Sequence, residues 1–261
     1  MLMGAGVDDT TSVEAIVGVI DMTTSELSAP VAGAAHNRSL TGTGIGPNVW
    51  VKCTVEAIGT FFLVFTVGAA VGSASSFAPL GIGAALMVMI YAGGHLSGGH
   101  YNPAVTLAVL VRRRISLREA VGYWLVQLGA GLLAAVLVRE IIDPALGATG
   151  ARMMLSGRGL GAAFVAELLF TFALCYVVLN VATSKSHPDN SFYGLAIGFT
   201  VVAGAVAVGT ISGGAFNPAV TLGAAVMDMF SWSTLWVYLL AQVLAGVAAG
   251  ATFLALNPAD K

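Results

Sequence analysis

The sequence predicts an all-α integral membrane protein, with six transmembrane helices and two re-entrant half-helices arranged as an inverted repeat. Three observations predict it. The composition is too apolar for a water-wetted globule, six apolar stretches are long enough to span a bilayer, and a Ser-Gly-Gly…Asn-Pro-Ala segment occurs twice.

The chain is 57% hydrophobic and only 9% charged, against roughly 25% charged in a soluble domain. Lipid must therefore be its main solvent. Apolar stretches lie near 51–74, 78–93, 117–138, 160–182, 192–209 and 233–256, and about 20 residues suffice to cross a hydrocarbon core of about 30 Å. The second and fifth are the shortest, and each runs into a Gly-rich loop followed by another short apolar run. The expected organisation is a membrane domain over 50–256, with repeats 50–138 and 160–256, and a short tail at 257–261.

Residues 1–49 carry Asp8, Asp9, Glu14, Asp21 and Glu26 against Arg38 alone. No long apolar run occurs there, Val13–Ile20 being only eight residues, and no basic region opens the chain, so neither a signal peptide nor a membrane span is expected. A disordered, solvated extension is. Cys53 and Cys175 fall inside predicted spans and indicate neither a disulfide framework nor a metal site. The few basic residues give no nucleic-acid footprint.

Arg112, Arg113, Arg114 and Arg118 follow the second span and Lys185 follows the fourth, so the positive-inside rule places both loops, and both termini, in the cytoplasm. The opposite loop, 139–159, has Arg139, Arg152 and Arg158 partly offset by Glu140 and Asp143. A plasma or inner membrane is the expected location.

The repeat is explicit in Ser97–Leu107 (SGGHYNPAVTL) and Ser212–Leu222 (SGGAFNPAVTL), which are identical at nine of eleven positions at an offset of 115. Glu56, Thr60 and Phe61 echo Glu167, Thr171 and Phe172 at an offset of 111. Three spans per unit force the second copy to insert upside down. Asn102-Pro103-Ala104 and Asn217-Pro218-Ala219 must then approach the midplane from opposite faces. Proline suits the first turn of a helix, where its missing N–H is not needed. Half-helices over Ala104–Val111 and Ala219–Met227 would cover about 15 Å each and meet near the centre. There two partial positive helix ends and two Asn amides would oppose cations, protons included.

Irregular backbone at membrane depth must be buried in protein or line a wet cavity. The backbone of Gly98, Gly99 and His100, and of Gly213, Gly214 and Ala215, is therefore expected to line a path with inward carbonyls. Glu56 and Glu167 read either as proton-relay groups or as braces that accept backbone N–H bonds from the adjacent loop, and their matched places favour bracing. His95 and His100 are assigned to the loop as well, since neither has metal-ligand spacing. Tyr91, Trp124, Trp236 and Tyr238 read as packing or interface aromatics. A third Asn-Pro-Ala, at 257–259, lacks the Ser-Gly-Gly lead and room for a half-helix, and reads as chance termination chemistry.

The two Asn-Pro-Ala boxes in GHLSGGHYNPAVT (94–106) and SGGAFNPAVT (212–221), the Glu56/Glu167 pair and LAIGF (195–199) together resemble the aquaporin family over nearly all of 50–256. The resemblance implies a homotetramer with one pore per protomer, conducting water and small neutral solutes across the lipid bilayer. It also implies a selectivity filter, which residue counting from the two boxes puts at Ile82, Ala205, Gly214 and Val220. None is aromatic or charged, and the usual arginine after the second box is Val220. Such a filter should be wide and apolar, passing urea, ammonia, hydrogen peroxide or glycerol alongside water. Other markers are mixed: Ala225 and Tyr238 look like water-channel positions, whereas Leu239 replaces an aromatic. The alternatives are a glycerol-selective facilitator, a secondary transporter of a small solute, or a non-conducting scaffold. No catalytic constellation, metal site or cofactor is expected.

Overall fold

The computed structural model describes residues 48–142 and 152–260, and the expectations for the acidic N-terminal segment lie outside these residues. Among these described residues eight α-helices follow one another: α1 Val49–Gly72, α2 Ala78–Ser97, α3 Pro103–Val111, α4 Leu117–Leu137, α5 Arg158–Ala182, α6 Tyr193–Ser212, α7 Pro218–Val226 and α8 Leu235–Leu256. A π-helical turn, Val138–Ile142, prolongs α4, and a 3-10 turn, Trp232–Thr234, precedes α8. With their extensions, α1, α2, α4, α5, α6 and α8 are long and apolar enough to cross a membrane. The fold class is the one the sequence predicts.

Local chemistry fixes the helix ends. The Asn48 side chain accepts the Val51 N–H at the start of α1, and Ser116 with Glu119 forms a capping box on α4. α2 and α6 run a few residues past the apolar stretches 78–93 and 192–209. They stop at Gly98 and Gly213, whose φ values of 92° and 88° are left-handed, a conformation that carries no Cβ penalty in glycine.

α1 packs on α2 and α4, and in the second copy α5 packs on α6 and α8. The copies join along α2 and α6, where backbone meets backbone: a Cβ on Gly198 would sit 2.5 Å from the Gly83 carbonyl oxygen. Such contact between small residues is the usual way helices associate in lipid. Each half-helix is housed largely by the other repeat. α3 lies against α8, where Gly246 leaves room for the Ala104 carbonyl 2.7 Å from a would-be Cβ, and α7 lies against α4. The Gly246/Gly250 pair thus serves packing inside the protomer.

Large apolar side chains such as Val206, Leu125 and Leu133 are 70%, 68% and 63% exposed, which an apolar solvent explains. Cys53 and Cys175 are buried and free. Arg112, counted above among the loop cations, is instead the C-cap of α3 and is buried.

Candidate functional site

Asn102 and Asn217 are the N-caps of α3 and α7, with extended φ of −156° at both. Asn102 Oδ1 accepts the N–H groups of Ala104 (2.8 Å) and Val105 (3.4 Å), and Asn217 Oδ1 accepts that of Ala219 (2.9 Å). Capping engages the amide oxygen and turns the NH2 group away from the helix. One N–H of each then crosses to the other repeat. Asn102 Nδ2 donates to the Phe216 carbonyl and Asn217 Nδ2 to the Tyr101 carbonyl, both at 2.9 Å. The other N–H of each amide has no protein acceptor among the described residues, and both asparagines line the cavity described below.

The crossing requires an uncommon backbone. Tyr101 and Phe216 have φ of 48° and 49°, which costs a non-glycine residue on the order of 1–3 kcal/mol. Buried carboxylates hold them there. Glu56 Oε1 accepts from the Ser97 hydroxyl (2.7 Å) and the His100 N–H (2.9 Å), and its Oε2 accepts from the Tyr101 N–H (2.6 Å) and Gln127 Nε2 (2.8 Å). Glu167 repeats the pattern with Ser212 (2.8 Å), Ala215 N–H (3.0 Å), Phe216 N–H (2.8 Å) and Gln242 Nε2 (2.9 Å). Each carboxylate meets four donors and no acceptor, which suits the ionised form. Hydrogen bonds to a charged acceptor contribute about 1.5–3 kcal/mol each, enough to offset the strain.

Four bracing residues were missed or misread from sequence. Gln127 and Gln242 also donate to the hydroxyls of Thr106 and Thr221, at 3.0 and 2.8 Å. The hydroxyls of Tyr123 and Tyr238 donate to the Ser97 and Ser212 carbonyls, at 2.6 and 2.7 Å. Tyr238 is therefore a brace as well as a packing aromatic, stacked on Phe230 with ring centres 4.5 Å apart. All four obey the 115-residue offset, a signal available in the sequence. Trp124 donates from Nε1 to the Pro103 carbonyl at 3.0 Å, while Trp236 is exposed.

His95, assigned to loop bracing, makes no hydrogen bond to the loop. Because α2 continues to Ser97, His95 sits in its last turn and faces a cavity. His100 provides the brace instead, with Nδ1 3.1 Å from Thr106 Oγ1.

Two cavities enter from opposite faces. One, about 710 Å3, is lined by Ile82, Ala205, Gly214 and Val220, and reaches Gly99, Gly213, Ala215, Asn102 and Asn217 past an apolar wall that includes Leu86 and Leu174. The other, about 640 Å3, opens on the face that carries Arg114 and Lys185, and is lined by His95 and Gly98 among others. His100, Val178 and Ile197 line both. The cavities therefore abut at these three side chains, away from the Ile82–Val220 ring. Among the described residues no group of three or more His, Cys, Asp and Glu could hold a metal ion.

Comparison with known proteins agrees with this geometry. The major intrinsic protein family matches residues 45–253. The chain is 38% identical over 209 residues to glycerol uptake facilitator protein-like 6 of Lactiplantibacillus plantarum, covering 76% of this chain and 94% of that one. It is 34% identical to nodulin-26 of Glycine max, covering 80% of this chain and 79% of that one. The aquaglyceroporin structure from Plasmodium falciparum superposes with a TM-score of 0.67 at 21% identity, covering 79% of this chain and 96% of that one, which shows a shared fold.

Proposed function

The chain belongs to the major intrinsic protein family and is a passive membrane channel for water and small neutral solutes; from that premise we propose which residues form the path and what they select. Solutes move between the two cavities past the paired Asn102 and Asn217 amides. The observation that carries this is the cross-strapped pair. Two helix N-termini and two spare N–H donors converge on one cavity, so a passing oxygen is held by donors alone and a cation meets positive helix ends. The glycine-rich loops contribute backbone acceptors along the way, and Glu56 and Glu167 fix their shape.

The ring of Ile82, Ala205, Gly214 and Val220 is the outer filter. It lies within the wall of the 710 Å3 cavity, which makes it a broad apolar passage. Solutes larger and less polar than water should pass it, glycerol among them, in keeping with the name of the Lactiplantibacillus relative. The cavity with Arg114 and Lys185 opens to the cytoplasm, both termini face the same side, and four protomers assemble with one path each.

Stopped-flow swelling and shrinking of proteoliposomes, with urea, glycerol and ammonia tested beside water, checks this reading. Flux that rises linearly with solute gradient and ignores sodium and proton gradients is expected. Saturating, gradient-coupled transport would point to a secondary transporter, and an absence of flux to a scaffold.

A further inference from the structure

The third Asn-Pro-Ala, left aside above as termination chemistry, folds into a turn with a defined job. Asn257 closes α8 by donating its N–H to the Phe253 carbonyl at 2.9 Å, and the Asp260 N–H returns to the Asn257 carbonyl at 3.0 Å. Asparagine first and proline second is favoured chemistry for such a four-residue turn. The turn carries the Asp260 side chain back under the bundle.

There it meets Arg112, whose side chain is fully buried. The Arg112 guanidinium donates to the Asp260 carboxylate and to the Asp260 carbonyl, both at 2.9 Å, and to the Thr183 hydroxyl and carbonyl at 2.7 and 3.0 Å. Its carbon lies 4.1 Å from the centre of the Phe253 ring. The second carboxylate oxygen accepts from the Ser184 hydroxyl (3.1 Å) and the Lys185 N–H (2.8 Å), while Arg114 donates to the first at 3.1 Å. One carboxylate thus fastens the end of α3, the α3–α4 loop, the start of the α5–α6 loop and the end of α8. Arg114, Thr183, Ser184 and Lys185 also line the 640 Å3 cavity, as do His187 to Asn190 further along the same loop.

The geometry points to Asp260 as a positioning residue for the channel: it anchors the loop from Thr183 to Asn190 at the wall of the mouth and so keeps the entrance clear. The inference rests on the conduction path proposed above. A buried guanidinium deprived of its carboxylate partner forces local rearrangement, because the charge cannot stay dry and unpaired. The released donors of Ser184 and Lys185 belong to the loop that borders the entrance.

The test uses the full chain in proteoliposomes, with water permeability per protomer read by stopped flow. Asp260→Ala should lower it by about threefold or more, given that a buried guanidinium loses its carboxylate and keeps only the neutral acceptors of Thr183 and the residue-260 carbonyl. The pair Ser184→Cys with Asp260→Cys replaces the 3.1 Å hydrogen bond by a reversible tether. Oxidised, it should regain part of the parental permeability, because the loop is held although Arg112 has lost its carboxylate; reduced, it should conduct like Asp260→Ala, in the same folded molecules. A merely structural role would not give permeability that switches with reductant. Parental permeability in Asp260→Ala overturns the inference, as does a cysteine pair that fails to cross-link or is indifferent to reduction. If Asp260→Ala does not reach the membrane, the cysteine pair decides alone. A parent protein that conducts nothing overturns the proposed path instead, so the two failures are distinguishable.

Discussion

Glu167→Gln isolates what a carboxylate does at the second loop that an isosteric amide cannot. Every group facing it is a donor: the Ser212 hydroxyl and Ala215 N–H at one oxygen, the Phe216 N–H and Gln242 Nε2 at the other. An amide has one acceptor oxygen and must turn its NH2 toward one of these pairs. Ser212 and Gln242 can reorient, but a backbone N–H cannot, so either Ala215 or Phe216 is left without an acceptor. An orphaned buried N–H costs about 1–3 kcal/mol, and the remaining bonds lose their charge assistance. Because Phe216 holds a left-handed φ of 49° through this contact, the cost should appear as local opening of residues 213–217 and not as global unfolding. About 1–3 kcal/mol corresponds to a 5- to 150-fold shift in an equilibrium. Hydrogen exchange of the Ala215 and Phe216 amides in nanodiscs should accelerate by that factor, and water permeability should fall with it. If exchange at both amides changes by less than about twofold, well under the cost of one orphaned N–H, the brace reading is wrong.

Three other outcomes follow from the same contacts. Val220→Arg places a bulky permanent charge in the apolar ring, so urea and glycerol flux should drop far more than water flux in stopped-flow measurements; an unchanged urea-to-water ratio removes Val220 from the filter. Gly198→Ala puts a methyl 2.5 Å from the Gly83 carbonyl and should destabilise the folded channel in detergent by about 1–3 kcal/mol, the usual cost of overpacking; a parental melting temperature would contradict the α2–α6 contact. Burial pushes the Asp260 carboxyl up, but hydrogen bonds from the Lys185 N–H, Arg112 and Ser184, with the Arg112 charge, outweigh it and bring its pKa down to about 2. A carboxyl depressed below its unfolded value contributes stability that is present at neutral pH and lost only as pH falls through that folded value. The tether in Asp260 should therefore hold across about pH 5 to 8, and the hydrogen-exchange protection factor of the Lys185 N–H, which donates to that carboxylate, should be flat over that window once intrinsic exchange is divided out.

Periodicity in the sequence is worth more than residue type here. The 115-residue offset located Asn102, Asn217 and the glycine-rich loops, and it would have located Gln127, Gln242, Tyr123 and Tyr238 had it been applied to the third and sixth spans. A lone glutamine or tyrosine in an apolar helix otherwise looks like packing. Six spans were legible because length and hydropathy are summed over about 20 residues. Helix ends were less so: Gly93 and Gly94 look like breakers, yet α2 passes through both, with Tyr101 and Val55 in the space that the missing Gly93 side chain leaves and Tyr193 beside Gly94. His95 was misassigned for the same reason. The Asp260–Arg112 contact spans 148 residues, and no local pattern announces a partner at that distance.

The exchanged asparagine bonds also bear on how the protein is made. Ribosomes deliver the first repeat well before the second, and until Asn217 arrives the Tyr101 carbonyl points at nothing. Nor does α3 have its berth until Gly246 of the last helix is threaded. An unpaired carbonyl in hydrocarbon costs several kcal/mol, so a nascent half-molecule should keep its first loop at the membrane surface and draw it inward only after the final span has inserted. Biogenesis would then carry its own safeguard against leakage: a truncated or stalled chain has no finished hole to leave open in the membrane.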